Sequence, residues 1–186
     1  MGGRFPWYLA RSAGMVAWAL LTLAVVWGLL MSTKIFGKRP RPAWLLDLHR
    51  YLGGLATIFT GVHVAAILLD RYVTFTPVDV LVPFASAWHP GAVAWGVTAM
   101  YLLLAVELTS LARARLPRNV WRGVHMASFP LFAVATLHGL TAGTDRHVMV
   151  AVSVAIGAVM LVAALSAVRL AEPPTPSRRP VSTGRG

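Results

Sequence analysis

Along the chain, long apolar stretches alternate with short links in which most of the charge is collected. Five stretches, at 7–31, 45–69, 91–112, 121–142 and 148–168, are nearly continuous in apolar and small residues. Crossing the hydrocarbon core of a bilayer takes about 20 helical residues, and each stretch meets that length. A strand of a membrane barrel is about half as long and alternates polar with apolar positions. Backbone groups in lipid must also be satisfied within the protein, which leaves helices. The pattern predicts an all-α integral membrane bundle of five transmembrane helices. Residues 1–170 form one helical domain on this reading. Residues 171–186, rich in Pro, Ser and Arg, are expected to be a disordered cytoplasmic tail. The first stretch is too long for the apolar part of a signal peptide, and no cleavage site follows it. No repeat occurs at solenoid periods.

Composition agrees. Hydrophobic residues make up 57% of the 186 positions and charged residues only 12%, about half of what a soluble domain carries. The net charge of +11 suggests nucleic acid at first sight, but its placement argues against that partner. Lys34, Lys38, Arg39 and Arg41 link the first two spans. Arg113, Arg115 and Arg118 link the third and fourth, with Arg122 just beyond, and Arg169, Arg178, Arg179 and Arg185 follow the fifth. The other two links carry Arg71 against Asp70 and Asp79, and Arg146 against Asp145. The positive-inside rule then puts the N-terminus outside and the C-terminus in the cytoplasm, as in a multi-pass membrane protein. Arg4 and Arg11 run against that orientation. Trp7, Tyr8, Tyr72 and Trp88 mark the outer margin, and Trp44 and Trp121 the inner one. The chain has no cysteine, which removes disulfides, iron–sulfur clusters and thiolate metal sites.

The chemistry lies in four histidines. His49 and His63 are 14 positions apart on the second span, and His125 and His138 are 13 apart on the fourth. At 1.5 Å per residue each pair is separated by about 20 Å along its helix. Both spans run in the same direction, so His49 and His125 share an inner level, and His63 and His138 an outer one. Two neutral imidazoles facing each other suit the two axial positions of a haem iron. Two such levels suggest two b-type haems stacked across the bilayer, close enough for an electron to pass between them. Ionisable groups inside a membrane lean towards function, and two pairs at matched depths strengthen that reading over packing histidines. A zinc or copper site lacks a third ligand at either level. A proton relay would prefer closer spacing with acids between the histidines.

Helical phase fits the first pair better than the second. Fourteen steps of 100° return to within about 40° of the same face, whereas thirteen miss it by about 140°. Pro130, between His125 and His138, supplies a kink that would change this. Gly53, Gly54 and Gly61 remove bulk from the second span, either for a flat macrocycle or for close helix packing. Arg50 and Arg122 at the inner level, and Arg71 and Arg146 at the outer, are candidates to pair with haem propionates, with topology and snorkelling as the competing role. His89 and His147 fall at the outer boundary, and Glu107 near the inner end of the third span, where an arginine is its expected partner.

The stretches "HRYLGGLATIFTGVH" and "WRGVHMASFPLFAVATLH" resemble the ferric reductase-like transmembrane domain, over roughly the second to fifth spans. That superfamily includes ferric reductases, NADPH oxidases and the haem-binding membrane subunit of a bacterial periplasmic methionine sulfoxide reductase. The resemblance implies that His49 and His125 ligate an inner haem b and His63 and His138 an outer one. It also implies electron transfer from a cytoplasmic donor to an acceptor outside. No glycine-rich dinucleotide fingerprint opens a helix after a strand, so no flavin is expected within this chain. A separate flavoprotein reductase or a quinol is then the expected donor, and ferric iron or a periplasmic protein the acceptor. The chain would be an oxidoreductase component, with no catalytic residue of its own to name. Two other readings stand beside it: an anchor subunit feeding a periplasmic oxidoreductase, and a haem-free packing or transport protein.

Overall fold

The computed structural model describes residues 5–33, 42–71, 73–143 and 149–171. They form α1 (Phe5–Ser32), α2 (Ala43–Leu69), the single turn α3 (Pro77–Leu81), α4 (Pro90–Leu111), a 3₁₀ turn (Arg113–Arg115), α5 (Arg118–Met126), α6 (Ser128–Ala142) and α7 (Met149–Ala171). Among the described residues there is no strand. Five helical segments are long and apolar enough to cross a membrane: α1, α2, α4, α5 with α6, and α7. The basic residues at 34, 38, 39 and 41, Tyr72, Asp145, Arg146, His147 and the tail from 172 onwards lie outside the described residues.

The fourth span is two helices rather than one. Pro130 has no N–H to offer the carbonyl of Met126, and its ring crowds that carbonyl. α5 accordingly stops at Met126, and the Ala127 N–H turns back to Val124 O at 2.9 Å. The regular ladder resumes with Leu131 N–H to Ala127 O at 2.9 Å. The break lies between His125 and His138, where the helical phase required one.

α1 lies along α2, and α4 lies along α6. α1 also touches α6 and α7, while α2 meets α4 only lightly. The core gathers Leu21, Val25 and Leu29 of α1, Ala56 of α2, Ala99 and Leu103 of α4, Leu131 and Phe132 of α6, and Val162 of α7. Single hydrogen bonds fasten the elements. Trp18 Nε1 donates to Thr136 Oγ1 (3.0 Å), Trp27 Nε1 to Leu45 O (2.8 Å), and Arg169 to Ser32 O (2.7 Å). The last bond joins the C-terminal ends of α1 and α7, which therefore run parallel. Large apolar side chains such as Ile58, Leu108, Ile156 and Met160 are exposed on the outer faces, as lipid-facing residues are.

The link between α2 and α4 is ordered by local chemistry. Thr76 and Asp79 form a reciprocal capping box at the start of α3. The Thr76 hydroxyl, then its backbone N–H, hold the Asp79 carboxyl below its ordinary value. Tyr101 on α4 donates to Leu81 O at 2.7 Å. His89, with φ of 42°, turns the chain into Pro90 at the start of α4.

Candidate functional site: two facing imidazole pairs

α2 is continuous from His49 to His63 and so holds both imidazoles on one flank. The break at Ala127 lets α5 aim His125 and α6 aim His138 towards the same helix. The structure brings the four histidines together in the pairs expected. The ring centroids of His49 and His125 are 6.0 Å apart, with planes at 71°. Those of His63 and His138 are 6.2 Å apart, with planes at 76°. Ala56 of α2, with Leu131 and Phe132 of α6, lies between the two levels in sequence and belongs to the core.

The pair His63/His138 is anchored by backbone. Nδ1 of His63 lies 2.6 Å from Ala10 O on α1, and Nδ1 of His138 lies 2.8 Å from Ala92 O on α4. A carbonyl only accepts, so each Nδ1 carries the proton and each Nε2 keeps its lone pair. The pair His49/His125 is held differently. His125 Nδ1 lies 3.4 Å from Ser110 Oγ, a long contact. Its ring stacks on Trp121 at 5.2 Å and 25°, and the Arg113 guanidinium lies over Trp121 at 4.7 Å. His49 Nδ1 is buried without a well-formed hydrogen bond, although the Ala24 carbonyl is the backbone group it approaches. The Trp121 Nε1–H is buried without a partner as well.

The other candidates are placed as follows. Arg50 is exposed and paired with Asp47 at 3.4 Å, and Arg122 is exposed. Arg113, not Arg50 or Arg122, reaches the aromatic stack. The Glu107 carboxylate lies against Gly53 of α2, and no ion pair forms there among the described residues, contrary to the expected arginine partner. Gly54 and Gly61 face open space, so close helix packing is not their role. The His89 ring meets Trp88 edge-on at 4.5 Å and belongs to neither pair. Sequence reasoning missed α1 as a partner of the histidines, together with Ser110, Trp121 and Arg113. Trp121 was findable, being one turn before His125. The carbonyls of Ala10 and Ala92 were not, because every residue has one.

A metal–imidazole bond is roughly 2 Å and the ring centre lies roughly 1.1 Å beyond the nitrogen, so two imidazoles on one ion have centroids about 6 Å apart. Both pairs match that span. Among the described residues no group of three or more His, Asp or Glu side chains gathers anywhere. Each level thus offers two facing imidazoles and no group of three or more His, Asp or Glu among the described residues, a donor set that suits only an ion whose other ligands come with it. The buried, unpartnered Trp121 N–H adds a donor for an anion beside the His49/His125 pair.

No curated protein and no solved structure matches the chain. A family model described as a domain of unknown function, DUF8596, matches residues 5–145, which include all four histidines, and the chain belongs to that family.

Proposed function

We propose that this protein carries electrons across a bacterial inner membrane through two bis-histidine b-type haems, as the ferric reductase-like proteins it resembles do. His49 and His125 hold the inner haem and His63 and His138 the outer one, with the N-terminus outside and the C-terminus in the cytoplasm. The observation that carries this reading is the centroid separation of 6.0 and 6.2 Å at two levels, with no group of three or more His, Asp or Glu among the described residues at either. A porphyrin would bring with it the ligands that the described residues do not supply.

When bound, haem supplies a one-electron Fe(III)/Fe(II) couple at each level. The protein residues fix where that couple sits and what surrounds it. At each level the two imidazoles would together hold the haem, and a haem held by two histidines serves electron transfer better than O₂ binding. The carbonyls of Ala10 and Ala92 hold the His63 and His138 tautomers with Nε2 free. The core of Leu131, Phe132, Ala56 and Leu103 keeps water from the space between the levels. Trp121 and Arg113 offer N–H and positive charge at the inner level, where a propionate needs both. A separate flavoprotein reductase or a quinol delivers electrons on the cytoplasmic side, and ferric iron or a periplasmic protein accepts them outside. An inside-negative potential favours this direction by about 2.3 kcal/mol per electron per 100 mV if the whole field is crossed.

The test is haem content and spectrum of the purified full-length protein from haem-replete cells. Sharp b-type bands on dithionite reduction and about two haems per chain are expected. A colourless, haem-free preparation overturns the reading.

A further inference from the structure

Three of the four imidazoles rest on a glycine of another helix, always in the same way. A Cβ placed on Gly14 of α1 would come within 2.8 Å of His63 Nδ1. On Gly96 of α4 it would come within 2.6 Å of His138 Cε1, and on Gly28 of α1 within 3.2 Å of His49 Cε1. The carbonyl that accepts from Nδ1 of His63 or His138 belongs to the residue four positions before the glycine: Ala10 before Gly14, and Ala92 before Gly96. Ala24 holds the same place before Gly28, although His49 Nδ1 makes no hydrogen bond. The segments are Ala10-Arg-Ser-Ala-Gly14, Ala24-Val-Val-Trp-Gly28 and Ala92-Val-Ala-Trp-Gly96.

The offset of four has a physical cause. In an α-helix the carbonyl of residue i−4 is bonded to the N–H of residue i, and it keeps a second lone pair. A side chain at i leans back towards the N-terminus over that same turn and covers the lone pair. Glycine at i uncovers it. Gly14 and Gly28 are 14 apart on α1, the spacing of His63 and His49 on the helix packed beside it. On α4 the position 14 beyond Gly96 is Ser110, whose hydroxyl faces His125. Other helical glycines lack this contact, since Gly54, Gly61, Gly123, Gly139 and Gly157 have nothing within 4 Å of a Cβ.

We infer that Gly14, Gly28 and Gly96 are positioning residues: each forms a seat that lets one ligand imidazole lie against the backbone of a neighbouring helix, and Gly14 and Gly96 also open the Ala10 and Ala92 carbonyls that fix the tautomers of His63 and His138. This rests on the two-haem reading. It makes α1 and α4 carriers of the seats, and α2, α5 and α6 carriers of the ligands. Gly14 and Gly96 serve the His63/His138 level, and Gly28 serves the His49/His125 level.

The test compares Gly14→Ala, Gly96→Ala, Gly28→Ala and Gly157→Ala in the purified full-length protein. Low-temperature EPR and reduced-minus-oxidised spectra provide the readout, with His63→Ala and His49→Ala assigning signals to levels. Gly14→Ala and Gly96→Ala should remove or shift the His63/His138 signal, with haem falling from about two to about one per chain, while the other signal stays. Gly28→Ala needs a shift of only a few tenths of an ångström, so it should keep both haems and move the His49/His125 signal alone. Gly157→Ala on α7, where a Cβ meets nothing within 4 Å, should match the wild type. If Gly14→Ala or Gly96→Ala fails to fold, the milder Gly28→Ala decides. Unchanged spectra in the folded variants, or equal loss at both levels, overturn the inference. Haem content of the wild type tests the functional reading separately: a loaded wild type with indifferent glycine variants sinks the seats alone.

Discussion

The His63/His138 pair is held by hydrogen bonds to backbone; at the other level His49 lies against the backbone at Gly28 without a hydrogen bond, and His125 is held by side chains. In the first, two helix carbonyls accept from Nδ1 at 2.6 and 2.8 Å, and both donors and acceptors belong to regular helices. In the second, the contacts are a hydroxyl at 3.4 Å, a stacked indole and a guanidinium above it, beside a helix break and a basic turn. Backbone carbonyls have no rotamers to lose, so the first arrangement is the more rigid. Side chains can be tuned one at a time, so the second is the more adjustable. The ring separation is nearly the same in both. A single separation between facing imidazoles is thus reached by two different kinds of support.

The sharpest way to break the comparison is to remove one ligand at each level. His63→Ala and His49→Ala should each lower haem from about two to about one per chain and leave the other level's spectrum in place, measured by pyridine haemochrome and EPR. Loss of both haems in either variant would show that the levels are not separate sites.

Pro130→Ala should have the next largest effect. It restores the N–H that Met126 O lacks and lets α5 run straight into α6. A straight helix returns His125 and His138 to faces about 140° apart, so one pair must open. The His49/His125 level should be the one lost, because α5 is held by side chains and α6 by the carbonyl of Ala92. Retention of both haem signals in a folded Pro130→Ala protein would show that the break does not aim His125.

Leu131→Ala sharpens the comparison from the other side. Leu131 is 2% exposed and lies between the levels. Its truncation should cost about 2–4 kcal/mol, seen as a lower thermal midpoint, while both haem signals keep their shapes. A shift confined to one level would tie Leu131 to that site instead of the shared core.

How much of this could be read in advance differs from residue to residue. The five spans follow from apolar length alone. The pairing of His49 with His125 and His63 with His138 followed from depth, because rise per residue is fixed. Facing was another matter, since the 13-residue spacing pointed away from a shared site and only the break at Ala127 reconciles it. Arg50 and Arg122 looked suited to the inner level by position, yet Arg50 turns to Asp47 and the stack is completed by Arg113, whose reach depends on the turn after α4. Glu107 looked like an arginine partner and instead meets the bare backbone of Gly53.

The sequence by itself determined that the chain is helical, that five segments are long and apolar enough for a membrane, and that four imidazoles fall at two depths. Those properties are set by side-chain type and by distance along one helix. Only the tertiary structure decided which groups stand behind the imidazoles and how α1 and α4 lie against them. A hydrogen bond from Nδ1 to a carbonyl on another helix depends on the register of two packed helices and on the absence of a Cβ at one glycine, and neither is expressed until the helices meet.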